Sequence, residues 1–222
     1  MSTTGEDVIF LLDVDNTLLD NDRVTRDLRE YLTAQFGEER QRRYWELFEE
    51  LRSELGYADY LGALQRFRLA YPHESRMLEM SSWLVDYPFT ERLYTGALDV
   101  IARLSARGLP VVLSDGDVVF QPRKVERSGI GAAVDGRVLI YVHKEQELAD
   151  VERRFPAGQY VLVEDKLRII AAVKAQWEER VTTVFVRQGH YAHDPELLAR
   201  YPPADFAIES IAELATLPLV AA

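Results

Sequence analysis

The chain has 222 residues, with 26 basic against 37 acidic side chains, a formal net charge of −11 at pH 7 and no cysteine. The lack of cysteine excludes a disulfide framework, thiolate metal sites and cysteine-nucleophile chemistry. The acidic excess argues against nucleic acid as a partner, because binding to its backbone requires Lys and Arg to neutralise phosphates.

The first apolar run, residues 8–12, follows acidic residues and is far shorter than a membrane span. We therefore expect no transmembrane helix, no membrane partner and no secretory signal, and a cytoplasmic location. Similar short runs rich in Val and Ile recur along the chain, and all are predicted as strands: 8–12, 110–113, 138–142, 160–163, 182–186 and 206–208.

Stretches with helical spacing separate most of these runs. Residues 98–104, 122–129 and 166–180 are predicted as helices, and further helix starts are expected at Asp194-Pro195 and at Ser210, which forms a capping box with Glu213. Strands that alternate with helices predict an α/β fold, in which a Rossmann-like parallel sheet is covered by helices on both faces.

Residues 23–87 interrupt this alternation, because they contain several amphipathic helical patterns in succession and no convincing strand. Two of these patterns end at Gly37 and Gly56. We therefore predict an α-helical insert at residues 21–89, within an α/β core formed by residues 1–20 and 90–222.

Two acids follow the first predicted strand, in Asp13-Val14-Asp15-Asn16-Thr17-Leu18. Side chains at i and i+2 of an extended segment project to the same side, so Asp13 and Asp15 converge. Two carboxylates about 4 Å apart repel by roughly 4 kcal/mol at an effective dielectric near 20, so the pair needs a cation, a lysine or a shared proton. A capped polar loop and an Asp-x-Asp motif that binds the metal of a nucleotide sugar remain alternatives. An EF-hand loop is excluded because Leu18 and Val24 replace its Gly and Glu.

Polar residues also follow three later strands. Ser114 ends the second strand before Asp115-Gly116, and Glu164-Asp165 end the fourth. Lys144 comes shortly after the third strand. Ligands of open α/β sheets bind beyond the carboxyl ends of the strands, so these side chains are expected near the first two acids.

In these four segments the chain resembles the haloacid dehalogenase superfamily, whose first motif is D-x-D-x-[TV]. The resemblance covers nearly the whole chain and implies that Asp13 is a nucleophile that forms an aspartyl-phosphate, with Asp15 as general acid/base. It implies that Lys144, rather than Lys124, neutralises the nucleophile. The phosphate-binding residues would be Thr17, Ser114 and Asp115, and Mg²⁺ would bind at Asp13, Asp15, Glu164 and Asp165.

The resemblance also implies a function. Dehalogenases of the superfamily lack the second acid, so Asp15 favours a Mg²⁺-dependent phosphatase acting on a small phosphorylated metabolite. The helical insert would be a cap of the superfamily's first type. A sugar phosphomutase and a non-catalytic phosphate-binding or regulatory protein remain alternatives.

Several other residues receive ordinary structural interpretations. Lys124 is expected on a solvated helix face, and Trp45 and its neighbours are expected in the core of the insert. His190, Tyr191 and His193 are expected in a surface loop rather than a metal site. Arg23 and Arg26 are predicted near the junction of insert and core, where they could meet a phosphate.

Overall fold

The computed structural model describes residues 8–219. Six strands within this range form one sheet, in which all neighbouring strands are parallel. The strand order is β3-β2-β1-β4-β5-β6, and the bounds are β1 (Val8–Leu12), β2 (Leu109–Asp115), β3 (Val138–Tyr141), β4 (Gln159–Glu164), β5 (Val181–Val186) and β6 (Phe206–Ile208). Since β1 lies between β2 and β4, the direction of winding changes at β1, which is where open α/β sheets bind their ligands. The predicted α/β fold is confirmed.

The insert between β1 and β2 is helical, as predicted. It contains α1 (Asn21–Phe36), α2 (Glu38–Leu55), α3 (Tyr60–Ala70) and α4 (Met77–Asp86), followed by the 3₁₀ helix Phe89–Arg92. Gly56 ends α2 in the left-handed conformation with φ 79°, which glycine adopts without steric cost. The predicted helix end at this residue is therefore confirmed.

Six further helices follow: α5 (Ala97–Leu104), α6 (Phe120–Arg127), α7 (Ile130–Ala133), α8 (Leu148–Arg154), α9 (Leu167–Trp177) and α10 (Pro195–Arg200). Side chains alternate along β1, so Phe10 and Leu12 belong to the apolar layer shared with α5, whereas Ile9 and Leu11 belong to the layer shared with α8 and α9. Both faces of the sheet are therefore covered, which explains the continuous apolar run of β1.

Three predicted helix boundaries can be compared with the structure. Asp194 caps α10, because its carboxylate accepts the backbone N–H groups of Glu196 and Leu197. The capping box of Ser210 and Glu213 is present, but it begins a 3₁₀ helix, Ile211–Thr216. The helix predicted at 166–180 ends at Trp177 and continues only as the 3₁₀ turn Glu178–Arg180.

The insert packs directly on the core, and the two share one hydrophobic cluster. The ring of Tyr60 in α3 lies 5.0 Å from that of Phe120 in α6, and Arg123 of α6 donates to the carbonyl oxygen of Val85 in α4 at 3.2 Å. These contacts place the insert over the carboxyl ends of the strands. No helix within residues 8–219 is both long and apolar enough to cross a membrane.

Candidate active site

Three buried carboxylates meet at the carboxyl edge of the sheet. Asp13 follows β1, while Glu164 ends β4 and Asp165 follows it; these two strands are neighbours in the sheet. The three side chains offer oxygens that all lie within 4.8 Å of one another, and the residues are at most 2% exposed. The Asp13 N–H donates to the Val163 carbonyl oxygen at 3.0 Å, which continues the β1–β4 pairing to the site itself.

Lys144 neutralises part of this cluster. Its Nζ lies 2.5 Å from Asp13 Oδ1 and 2.6 Å from Glu164 Oε2, and it donates to the Leu113 carbonyl oxygen at 3.2 Å. Burial alone would lower the pKa of Lys144, but the charges of Asp13 and Glu164 outweigh burial and raise that pKa well above its ordinary value. The structure thus places Lys144, rather than Lys124, against Asp13, and it gives Glu164 a contact with this lysine.

Asp165 has the geometry of an incomplete cation site. Neither of its buried carboxylate oxygens accepts a hydrogen bond from the residues that the structure describes. Burial raises the pKa of Asp165 well above its ordinary value, Lys166 opposes this, and Glu164 and Asp13 add to it; burial likewise raises the pKa of Glu164. A hard divalent cation such as Mg²⁺ prefers oxygen ligands and would supply the missing partner, so the donor set fits this ion.

The second acid of the first motif has a separate environment. Asp15 is one-quarter exposed at its side chain, and Lys124 Nζ lies 2.6 Å from its Oδ1. Gln121 Nε2 donates to Asp15 Oδ2 at 3.3 Å and to Ser114 Oγ at 2.9 Å. The two acids of the motif are therefore each held by a different lysine.

The expectation of a solvated Lys124 is wrong. Lys124 is 1% exposed, and its ammonium also donates to Asn21 Oδ1 at 3.0 Å. The face of α6 that carries Gln121 and Lys124 is turned toward the first motif, because these residues lie three positions apart and so on one side of the helix. The spacing alone could have shown that the two residues share one side of α6, but not that this side faces the first motif.

The loop after β1 is held by its own side chains. Thr17 Oγ1 donates to Asp13 Oδ2 at 3.1 Å. Asn16 adopts the left-handed conformation with φ 61°, and its side-chain oxygen accepts the N–H groups of Asn21 and Asp22 at the start of α1. The first motif thereby orients the nucleophile candidate and begins the insert.

The carboxylates of Asp115 and Asp117 accept hydrogen bonds from backbone N–H groups. Asp115 Oδ1 accepts the N–H of Lys144 at 2.7 Å, and burial raises the pKa of Asp115. Asp117 accepts the N–H groups of Val119 and Phe120 at the start of α6 and so caps this helix. Phosphate binding by Thr17, Ser114 and Asp115 stays a prediction.

A cavity of about 580 Å³ lies between the insert and the core. Asp15, Asp115 and Gln121 line it from the core, and Trp45, which was expected to serve the core of the insert, lines it from α2. Trp45 is also buried, with 6% of its surface exposed, so it both packs in the core of the insert and lines the cavity. The volume is typical of pockets that enclose small molecules.

The segment after β5 closes one side of this cavity, where an ordinary surface loop was expected. His190 Nδ1 lies 2.6 Å from Asp22 Oδ1, and Tyr191 OH accepts a hydrogen bond from Arg52 of α2. Burial would raise the pKa of Asp22, but its hydrogen bonds with His190 prevail and lower it. Both contacts join core to insert.

The two arginines predicted near the junction are not at the cavity. Arg23 forms an i,i+4 ion pair with Asp27 at 2.9 Å, and its side chain is 46% exposed. Arg26 is exposed on the same helix. Neither lines the cavity, so the structure does not bring them to a phosphate site.

Comparison with known proteins agrees with this architecture. A model of the haloacid dehalogenase-like hydrolase family matches residues 9–179. A protein of Burkholderia xenovorans LB400, described as a haloacid dehalogenase-like hydrolase, is 58% identical with a TM-score of 0.91, over 96% of this chain and 99% of that one. A search among proteins of curated function gave no match.

Two more distant structures share the fold alone. The L-2-haloacid dehalogenase of Xanthobacter autotrophicus is 19% identical with a TM-score of 0.63, over 96% of this chain and 98% of that one. A magnesium-bound HAD hydrolase of Bacillus subtilis is 16% identical with a TM-score of 0.60, over the same shares. With a family match over most of its length and a close relative over nearly all of it, the chain belongs to the haloacid dehalogenase-like hydrolases.

Proposed function

We propose that the protein is a Mg²⁺-dependent phosphohydrolase that removes phosphate from a small phosphomonoester through an aspartyl-phosphate on Asp13. The observation that carries this proposal is the division of labour between the two acids. Asp13 is buried and held by Lys144 and Thr17, whereas Asp15 faces the cavity and is held by Lys124 and Gln121. This division supports Asp13 as the nucleophile and Asp15 as the residue that transfers the proton.

In the first step, a carboxylate oxygen of Asp13 forms a bond to phosphorus while the bond from phosphorus to the ester oxygen breaks. In the proposed substrate complex Asp15 is protonated and gives its proton to the departing alkoxide, which leaves as an alcohol. Asp15 lines the cavity where the leaving group would lie, and Ser114 Oγ is within reach of the same Gln121 side chain.

In the second step, water attacks the aspartyl-phosphate. Asp15, now ionised, accepts a proton from that water, phosphate departs, and Asp13 regains its carboxylate. Lys144 keeps a positive charge next to Asp13 in both steps, so the charge of the carboxylate is neutralised before and after attack.

The carboxylates of Asp13, Glu164 and Asp165 would hold Mg²⁺, which, when bound, neutralises the charge on the transferring phosphoryl oxygens. Asp15 was also predicted as a metal residue, but its carboxylate lies outside this group of acids and pairs with Lys124. The unpartnered oxygens of Asp165 support this assignment. Because Lys144 already contacts Glu164, this residue has two candidate roles, as a metal ligand and as a second partner of the lysine.

We assign residues 21–89 as a cap of the superfamily's first type, inserted into a core of residues 1–20 and 90–222. The contacts of Arg52 with Tyr191 and of Asp22 with His190 join this cap to the core beside the cavity. A cap in this place would exclude water while the aspartyl-phosphate forms and would contact the leaving group.

A panel of phosphomonoesters, assayed with the Mg²⁺-loaded protein for phosphate release, tests this function. L-2-haloacids belong in the same panel, with halide release as the readout, because a dehalogenase shares this fold. We expect phosphate and no halide, since Asp15 and its two partners have no use in halide displacement. Halide release without phosphate release would contradict the proposal, and transfer of phosphate within a sugar phosphate would identify a mutase. Absence of both activities would favour a non-catalytic role.

Replacing Asp15 by asparagine should lower turnover by about 10²–10⁴, because the proton shuttle is lost while the fold remains. Substrates with poor leaving groups should suffer most. An aryl phosphate with an activated leaving group should still phosphorylate Asp13, and the slow hydrolysis should let the covalent intermediate accumulate. Intact-protein mass measurement would detect it. Equal impairment for good and poor leaving groups would contradict the role of Asp15 as the acid.

Mg²⁺ should stabilise the folded protein. At about 100 times its Kd, a ligand that binds only the native state adds about 2.7 kcal/mol, and about 1 kcal/mol raises Tm by roughly 2–4 °C in a chain of this size. We therefore expect a rise of about 5–10 °C by calorimetry, and little rise for Asp165→Asn. The exposed Asp99 of α5 provides the control, Asp99→Asn, which should respond as the wild type does. An unchanged response in Asp165→Asn would remove Asp165 from the metal site.

A further inference from the structure

Lys166 is a cation at the candidate site that the proposed mechanism leaves without a task. Three of the chain's four lysines surround the first motif and the acid cluster. Lys144 and Lys124 each lie within 2.6 Å of a carboxylate oxygen. Among the described residues, no carboxylate oxygen lies within 4.0 Å of Lys166 Nζ, which instead lies 5.4 Å from the centre of the Tyr191 ring.

A lysine side chain carries a positive charge at neutral pH. Lys166 lies two positions after β4 and immediately before α9, so two regular elements fix its backbone, and its side chain is half-buried. A charged, half-buried ammonium without a carboxylate partner is available to a ligand.

Lys166 lines the cavity together with Asp15, whereas Asp13, Ser114 and Lys144 are not among the lining residues. The cavity is therefore on the side of the proton donor and the leaving group; the nucleophile and its lysine lie outside its lining, and of the predicted phosphate-binding residues only Asp115 belongs to it. This placement directs the Lys166 ammonium toward the part of the substrate that departs.

The acids that line the cavity are already partnered. Asp15 pairs with Lys124, Asp22 with His190 and Glu49 with Arg52. Asp115 accepts the backbone N–H of Lys144.

Two lining cations lack a carboxylate within 4.0 Å among residues 8–219: Lys166, and Arg29, whose guanidinium stacks 4.1 Å over the Trp45 ring. These two side chains are therefore the lining cations that a second anion of a substrate could meet.

We propose that the substrate's leaving group carries a second anionic group, a carboxylate or a further phosphate, and that Lys166 binds it beside Tyr191. This inference rests on the proposed phosphohydrolase function, and it identifies Lys166 as a residue that determines specificity. Seven aromatic side chains share the cavity, among them Trp45, Phe120 and Tyr191, and they suit an apolar or planar body between the two anions.

The test uses matched substrates with the Mg²⁺-loaded protein. The meta and para isomers of carboxyphenyl phosphate are compared with the corresponding carboxamides, which have the same shape but no second charge, and hydroquinone bisphosphate supplies a second phosphate. We expect kcat/KM to be about tenfold to a hundredfold higher for at least one substrate whose leaving group carries the second anionic group, because an added hydrogen bond to a charged group strengthens binding by that much. The difference should appear as a lower KM. If a carboxyphenyl phosphate is the better substrate, the second anion is a carboxylate; if hydroquinone bisphosphate is better, it is a phosphate.

Lys166→Met should abolish this preference and leave the carboxamides nearly unaffected. The control is Lys174→Met in α9, the helix that Lys166 precedes. Lys174 pairs with Asp205 and does not line the cavity, so this variant should keep the preference. The proposal is overturned if the wild type shows no preference, or if Lys166→Met lowers activity on all substrates equally, which would mean that Lys166 serves the phosphoryl group.

A binding measurement separates this proposal from the proposed function. Para-carboxybenzylphosphonate and its carboxamide cannot be hydrolysed, so calorimetric titration compares their affinities without turnover. Tighter binding of the carboxylate, lost in Lys166→Met, would support the anion site even if no phosphomonoester were hydrolysed. Equal binding of both compounds, with phosphatase activity present, would contradict the anion site and leave the proposed phosphohydrolase function intact.

Discussion

Asp13→Asn is expected to abolish phosphate release, with kcat lowered by about 10⁴ or more, because an amide neither attacks phosphorus nor binds Mg²⁺ well. The substitution keeps the shape of the side chain and an oxygen that Thr17 can contact, and Lys144 keeps Glu164 as a partner. The fold should therefore survive. Phosphate release on the best panel substrate measures the effect, and circular dichroism and thermal unfolding check the fold.

Two further measurements complete this experiment. The covalent phosphoryl adduct that Asp15→Asn accumulates should disappear when Asp13 is also replaced by asparagine. The surface substitution Asp99→Asn should leave turnover unchanged. A folded Asp13→Asn protein with near-wild-type activity would show that the nucleophile, and the mechanism built on it, are wrongly assigned.

Lys144→Met is expected to lose activity and about 3–5 kcal/mol of unfolding free energy, because removing one partner of a buried ion pair leaves the other charge uncompensated. Here two carboxylates, those of Asp13 and Glu164, would lose the same ammonium, which is fully buried. Denaturant unfolding measures the loss. The methionine side chain fills most of the space of the lysine, so the loss of unfolding free energy comes from the missing charge and not from an empty cavity.

The second substitution in this experiment is Glu164→Gln. Removing one of the two uncompensated charges should restore a large part of the stability lost in Lys144→Met, so the two changes should be strongly non-additive. If Lys144→Met fails to fold, the double variant should recover soluble, folded protein. Simple addition of the two losses would show that Lys144 and Glu164 do not interact energetically. Activity should stay low in the double variant, since Asp13 still lacks its lysine.

The apolar runs and the first motif are local features, and the sequence alone predicted them. Strands covered on both faces must be continuously apolar, so the strands of the sheet could be located with errors of a few residues at their ends. The carboxyl ends of parallel strands meet at one edge, so the approach of Asp13, Lys144 and Asp165 followed from the order of the strands. The catalytic roles of these residues stay predictions.

The environment of Asp15 could not be predicted in the same way. Lys124 was assigned to solvent because a charged residue in a helix with arginine neighbours is usually exposed. Its burial depends on Asp15 and Asn21, which are more than 100 positions away in the chain and supply the oxygens that make a buried ammonium stable. Sequence spacing on α6 carries no information about what that helix faces.

The cavity is likewise a product of tertiary structure. The helical period identified Trp45 as an apolar position of α2, and Gly189-His190-Tyr191 had the composition of a loop, but neither pattern says which surfaces meet. Only the packing of the insert on the core brings Arg52 to Tyr191 and leaves Lys166 facing the enclosed space. The sequence by itself therefore determined the strands, the helical insert and the residues at the strand ends, because periodicity and strand order are local or topological properties. The partners of Asp15 and the position of Lys166 in the cavity depend on contacts between distant segments, and the tertiary structure alone decided them.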